Sequence, residues 1–127
     1  MMSLIYYYVK AMRDNIIINK SFQFSIRIIR LYQYLVRDKN EFVLSKQILR
    51  CGCSIGANIE EAQGGFSKRD FSAKMSIAYK EARETRYWLR LLKETDYLNE
   101  YQFHPLINDC EQILKILFKI TNSSRES

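Results

Sequence analysis
The sequence has one proline, four glycines and one histidine in 127 residues. So little punctuation leaves long stretches that nothing breaks, which favours helices, and no strand-like alternation of comparable strength competes with them. A single histidine excludes a carboxylate-bridged di-iron bundle, which needs a Glu-x-x-His motif on each of two helices. It also leaves a Ser–His or Cys–His pair with only His104, next to Pro105, where a surface or capping role is the plainer reading. No apolar run is long enough to cross a bilayer. Acidic residues are in deficit, with 14 Asp and Glu against 20 Lys and Arg, a formal charge of +6. An anionic partner or a merely solvated basic surface both fit that balance. The N-terminal MMSLIYYYVKAM has an apolar patch but no basic region ahead of it, so no secretory leader is expected. With three cysteines, an odd number, the expected state is reduced thiols in the cytoplasm.

What is present is amphipathic. Hydrophobic residues make up 47% and charged residues 27%, enough for one domain with one core. The first helix is expected from about Ser21, as N-cap, to Arg37, with Phe24, Ile28, Leu31 and Leu35 on one stripe. Phe22, Ile26 and Ile29 form a second stripe beside it, so the apolar arc is wider than one seam needs. The second helix is expected over about Val43–Gln63, carrying Leu44, Ile48, Cys51 or Gly52, Ile55, Ile59 and Ala62 on one face. Ser67 can cap the third, about Lys68–Thr95, whose near-heptad seam holds Phe71, Met75, Ala78, Ala82, Thr85, Leu89 and Leu92. The fourth is expected over about Glu100–Thr121, with Pro105 kinking its first turns or marking its start, and with Leu106, Ile107, Cys110, Ile113, Leu114, Leu117 and Ile120 buried. Together these predict an all-α, antiparallel up-and-down four-helix bundle that ends at about Thr121. Residues 122–127 read as a polar, frayed tail.

The stretch CGCSIGANIEEAQGG, residues 51–65, looks like a site. On a helix, residues two apart do not face each other, so Cys51 and Cys53 do not readily share an ion. A phosphate loop needs a strand before it, and none is there. What remains is packing. Gly52 and Gly56 lie four apart on one side of the helix, and glycine there costs about 1 kcal/mol of helix propensity each. That cost predicts a close helix contact, within the bundle or between subunits. Asn58, Glu61 and Glu84 form a candidate buried polar layer that would fix helix register, with a solvated face as the alternative. No catalytic, cofactor or metal site is expected.

Gln47–Leu98 resembles the bacterial 23S rRNA intervening-sequence proteins, a family also described as ribosomal-protein-like. The matching pieces are Q-x-x-R at Gln47–Arg50, S-I-x-A-N-I-x-E-A at Ser54–Ala62, S-x-x-D-F at Ser67–Phe71 and I-A-x-K-E-A-x-E-T-x-Y-W-L at Ile77–Leu89. NKSFQFSIRIIRLYQYL at Asn19–Leu35 looks like the family's first helix, and the likeness runs from about Met12 to the C-terminus. Cys51 and Cys53 depart from it, where the family tends to have small or hydroxyl residues, and Gly56 and Glu60 vary within a matching segment. The resemblance implies a bundle that assembles into a ring-like homo-oligomer, a pentamer, and not an enzyme. Relatives that accompany diversity-generating retroelements imply nucleic acid and a reverse transcriptase as partner classes. It also implies a family N-terminus at Met12, so that the bundle domain is residues 12–121 and residues 1–11 are an extension expected to pack weakly or to serve a crystal or oligomer contact.

Two functions are open. Lys80, Arg83, Arg86 and Arg90 make a basic row on the third helix, and Lys46 with Arg50 a second pair on the second helix. Repeated around a ring, these would bind RNA or DNA through phosphates, unless Glu81, Glu84 and Glu94 neutralise them. The alternative is a structural or protein-interaction scaffold that binds a protein partner and no nucleic acid, with Tyr87 and Trp88 as interface anchors or as ordinary core.

Overall fold
A computed structural model describes residues 3–126, with side chains described to Ser123. It has four helices, α1 (Leu4–Arg37), α2 (Leu44–Gln63), α3 (Lys68–Glu94) and α4 (Glu100–Glu126), and no strand among the described residues. Each helix packs on the next, and α1 closes onto α4. The bundle therefore has four seams, and α1 lies diagonally across from α3.

The expected stripes meet in the centre. Phe24, Ile28 and Leu35 of α1, Ile48, Ile55 and Ile59 of α2, Met75, Leu89 and Leu92 of α3, and Ile113 and Leu117 of α4 are all buried. At about 1.5–3 kcal/mol per fully buried large apolar side chain, this core is the main source of stability. Leu44, Phe71 and Ile107, expected on the same faces, pack half-buried against its rim.

The ends of the helices differ more from expectation. The first helix begins not at Ser21 but at Leu4, where Ser3 accepts a hydrogen bond from the Tyr6 amide at 3.2 Å. Nothing between Leu4 and Lys20 breaks a helix, and Ile17 and Ser21 carry the buried stripe toward the N-terminus. Ser21 is buried in mid-helix, its hydroxyl donating to the Ile18 carbonyl at 3.1 Å. Leu4 through Val9 are exposed. At the other end α4 runs on to Glu126, because NSSRES has neither glycine nor proline to stop it. Met1 and Met2 of the expected extension, and Ser127 of the expected tail, lie outside the described residues.

The turns have their own chemistry. Asn40 and Asp96 take φ of 52° and 66°, the left-handed region these two residue types tolerate best after glycine. Glu41 is buried just past the first turn. Its carboxylate accepts from the amides of Val43 (2.8 Å), Leu44 (3.0 Å) and Ser45 (3.0 Å), so it caps α2 from two residues upstream of Val43. Asn99 and Gln102 exchange reciprocal side-chain-to-amide bonds of 2.9 Å, a capping box that starts α4 at Glu100 and leaves Pro105 inside the helix.

Candidate nucleic-acid interface
The glycines of α2 do make a close contact, and it lies inside the bundle. A methyl placed on Gly52 would lie 2.8 Å from both Cγ1 and Cγ2 of Ile28. One placed on Gly56 would lie 3.2 Å from the Ser25 hydroxyl and 3.3 Å from the Ser21 carbonyl oxygen. The α1 backbone thus comes down on a small-residue surface of α2.

The two nearby thiols diverge. Cys51 turns into the core, where the Thr85 hydroxyl of α3 donates to its sulfur at 3.2 Å. Cys53 turns toward α1 and approaches the Ser25 carbonyl at 3.9 Å. Burial pushes the Cys51 thiol up to about 11 and the Cys110 thiol up to about 12, and raises Cys53 as well. At neutral pH these groups are protonated and weakly nucleophilic. We expect Cys51 and Cys110 of the native protein to resist iodoacetamide until it unfolds, with Cys53 labelled first; fast native labelling of Cys51 would contradict the burial. The same shifts set a pH dependence. The folded state holds these protons more tightly than the unfolded chain, whose thiols titrate near 9.0. Their contribution to stability is complete below that value and is lost as the pH rises toward 11 and 12.

The candidate polar layer does not assemble. Asn58 is buried but bonds locally, its amide donating to the Ser54 carbonyl at 2.8 Å and the Ser54 hydroxyl at 3.0 Å. Glu61 faces solvent and pairs with Lys74 at 3.0 Å. Glu84 accepts from Arg50 and, at 3.0 Å, from the Trp88 indole. No hydrogen bond joins Asn58, Glu61 and Glu84 to one another among the described residues. The helical step from Asn58 to Glu61 carries the second side chain off the buried face.

The basic rows divide into two groups. Arg50 is neutralised by Glu84 and, at 3.4 Å, by Glu81. Arg86 reaches Glu111 of α4 at 3.4 Å. Lys46, Lys80, Arg83 and Arg90 are exposed and have no ion pair among the described residues. Lys80 and Arg83 share a groove of about 480 Å³ along the α3–α4 seam, whose lining contains no carboxylate. Its other walls are Tyr79 and Phe118, with Ser76 and Asn122 at the rim. The expectation drawn from the sequence included the two cations but not the two rings. Phe118 gives one usable signal, since it is a large apolar residue outside the Leu114–Leu117–Ile120 stripe. Lys115 and Lys119 of α4, also absent from that expectation, are exposed beside it. Trp88 packs against the core while Tyr87 is exposed, and their rings meet edge to face at 5.4 Å.

On the opposite side of the bundle, the second α1 stripe is uncovered. Phe22, Ile26 and Ile29 are 64%, 39% and 42% exposed. Phe22 and Ile29 edge a groove of about 660 Å³ along the α1–α2 seam, with Ile18, Cys53 and Ala57. His104 is exposed, and no cluster of three His, Cys, Asp or Glu side chains occurs among the described residues. No described helix is long and apolar enough to cross a membrane.

The sequence model of the 23S rRNA-intervening sequence protein family matches residues 13–119. The chain is also similar to a crystal structure from Bacteroides thetaiotaomicron, described as a protein of unknown function from the S23 ribosomal protein family. The two are 49% identical with a TM-score of 0.85, over 87% of this chain and 98% of that one. No curated protein matches.

Proposed function
The chain belongs to the 23S rRNA-intervening sequence protein family, and from that premise we propose a non-catalytic accessory protein that binds nucleic acid through a basic surface of a homo-oligomer. Its helices run antiparallel, up and down. Three sets of contacts support that direction: Arg50 with Glu84 against Lys74 with Glu61, Arg86 with Glu111 against Tyr79 with Phe118, and Gly52 at Ile28 against Gly56 at Ser21. In each, the residue number rises along one helix as it falls along the other. The uncovered α1–α2 face is the self-assembly surface, and copies joined through it close into a ring of five. Free, protonated thiols suit the reducing cytoplasm.

One observation carries the nucleic-acid reading. Lys80 and Arg83 lie together in a carboxylate-free groove, on the opposite side of the bundle from the apolar face that assembly would cover. Cations without local counter-charges attract phosphates over a distance, and ring symmetry multiplies that field. The test is a light-scattering mass at low and high salt, with and without a structured RNA. We expect an oligomer that takes up RNA at low salt, and a drop of about tenfold or more in affinity for Lys80→Glu with Arg83→Glu. A Lys39→Glu control should change little. The same oligomer ignoring RNA at every salt would move the reading to a protein scaffold. A monomer would overturn the ring.

A further inference from the structure
Charge alone does not explain the α3–α4 groove. Cations are enough to hold a phosphate backbone, yet this groove is also lined by two aromatic rings. Tyr79 and Phe118 meet with ring centroids 6.2 Å apart and planes tilted by 46°. Phe118 is 52% exposed although its neighbours Leu117 and Ile120 complete the core beneath it. Its one aromatic contact within the subunit is the Tyr79 ring, and about half of its surface is left to solvent. Lys115 lies about one turn before Phe118 and Lys119 directly after it, and both are exposed.

Rings bordered by unpaired cations are what an unpaired strand of nucleic acid recognises. A base presents a flat face to a ring only when it is unstacked from its own neighbours, while its phosphates seek lysine and arginine. In a duplex the base faces are buried in the stack, and the rings would have nothing to meet. The groove, about 480 Å³, lies on the surface of the bundle, where a strand can reach it. We infer that the α3–α4 groove is a stacking site for single-stranded nucleic acid, with a base against Phe118 and Tyr79 and the adjoining phosphates on Lys80 and Arg83. The inference rests on the basic-surface reading and adds the form of nucleic acid bound.

The two can fail separately. The probes are a labelled twelve-nucleotide oligouridine RNA and an RNA duplex of the same length, followed by fluorescence anisotropy at one low salt concentration. The native protein should bind the single strand more tightly. Phe118→Leu keeps an apolar side chain but removes the ring. It should weaken single-strand binding by about fivefold or more and leave duplex binding unchanged. Tyr79→Phe keeps both rings and should bind as the native protein does. Unchanged single-strand affinity in Phe118→Leu, with loss in Lys80→Glu/Arg83→Glu, would overturn stacking while the basic surface stands. A preference for duplex would overturn it likewise. A fall in oligomer mass on Phe118→Leu would assign the ring to a subunit contact and overturn it too. Failure of both probes to bind would overturn both readings.

Discussion
Replacing Glu41 with alanine is expected to lower the unfolding free energy by about 2–3 kcal/mol, read from urea midpoints at unchanged slope. One buried carboxylate receives the first amides of α2, at Val43, Leu44 and Ser45. Removing it leaves those donors without their side-chain acceptor. It also removes a negative charge from the positive end of the helix dipole, which adds several tenths of a kcal/mol. Glu41→Gln separates the two contributions, since it keeps an acceptor oxygen and loses the charge. It should recover part of the loss. A Glu41→Ala midpoint equal to that of the native protein would mean that α2 is capped in solution by some other group.

The second large effect is at Gly52. Glycine-to-alanine in the middle of a helix ordinarily gains about 1 kcal/mol from propensity. Here the new methyl would sit 2.8 Å from two carbons of Ile28, a fully buried, β-branched side chain whose rotamer has little freedom to change. Overpacking of this kind costs about 1–3 kcal/mol, so Gly52→Ala should destabilise despite the propensity gain. Gly56→Ala is the internal comparison. Its closest contacts are 3.2 and 3.3 Å, so a few tenths of an ångström of relaxation would seat the methyl, and the net change should be near zero. Equal effects at the two positions would mean that the α1–α2 spacing adjusts as a rigid body.

The buried faces were legible because periodicity reports burial directly. Phe24, Ile28 and Leu35, or Met75, Ala78, Ala82 and Leu89, repeat at helical spacing and are found in the core. The family was legible in the run from Ser54 to Ala62 and the block from Ile77 to Leu89. The start of α1 was not, because Ser21 looks like an N-cap and only its contact with α2 at Gly56 shows why a small residue is buried there. The role of Glu41 was hidden for a related reason. A glutamate upstream of a helix matches no capping pattern of residue spacing until the turn at Asn40 folds it back. Helical spacing alone marks the basic candidates. Spacing says which cations share a face, but not which of them meets a carboxylate from another helix. Arg50 and Arg86 do, whereas Lys80 and Arg83 do not. Nor does spacing on α3 place Phe118 of α4 against Tyr79, a pairing between residues far apart in sequence.

The order of the seams bears on time. Three of the four seams join helices that follow one another in the chain, and only α1 with α4 must close from opposite ends. Hairpins of neighbouring helices form through short loops, so their search is brief, and bundles with such local connectivity fold in roughly microseconds to milliseconds. If copies assemble through the α1–α2 face as proposed, their association would be slower at modest concentration, because two subunits must first meet. A freshly folded subunit would therefore spend most of its early life complete in its core but with Phe22, Ile26 and Ile29 still in water. Under that assembly the vulnerable interval would be set by subunit concentration rather than by the speed of folding, and dilution, more than heat, would prolong it.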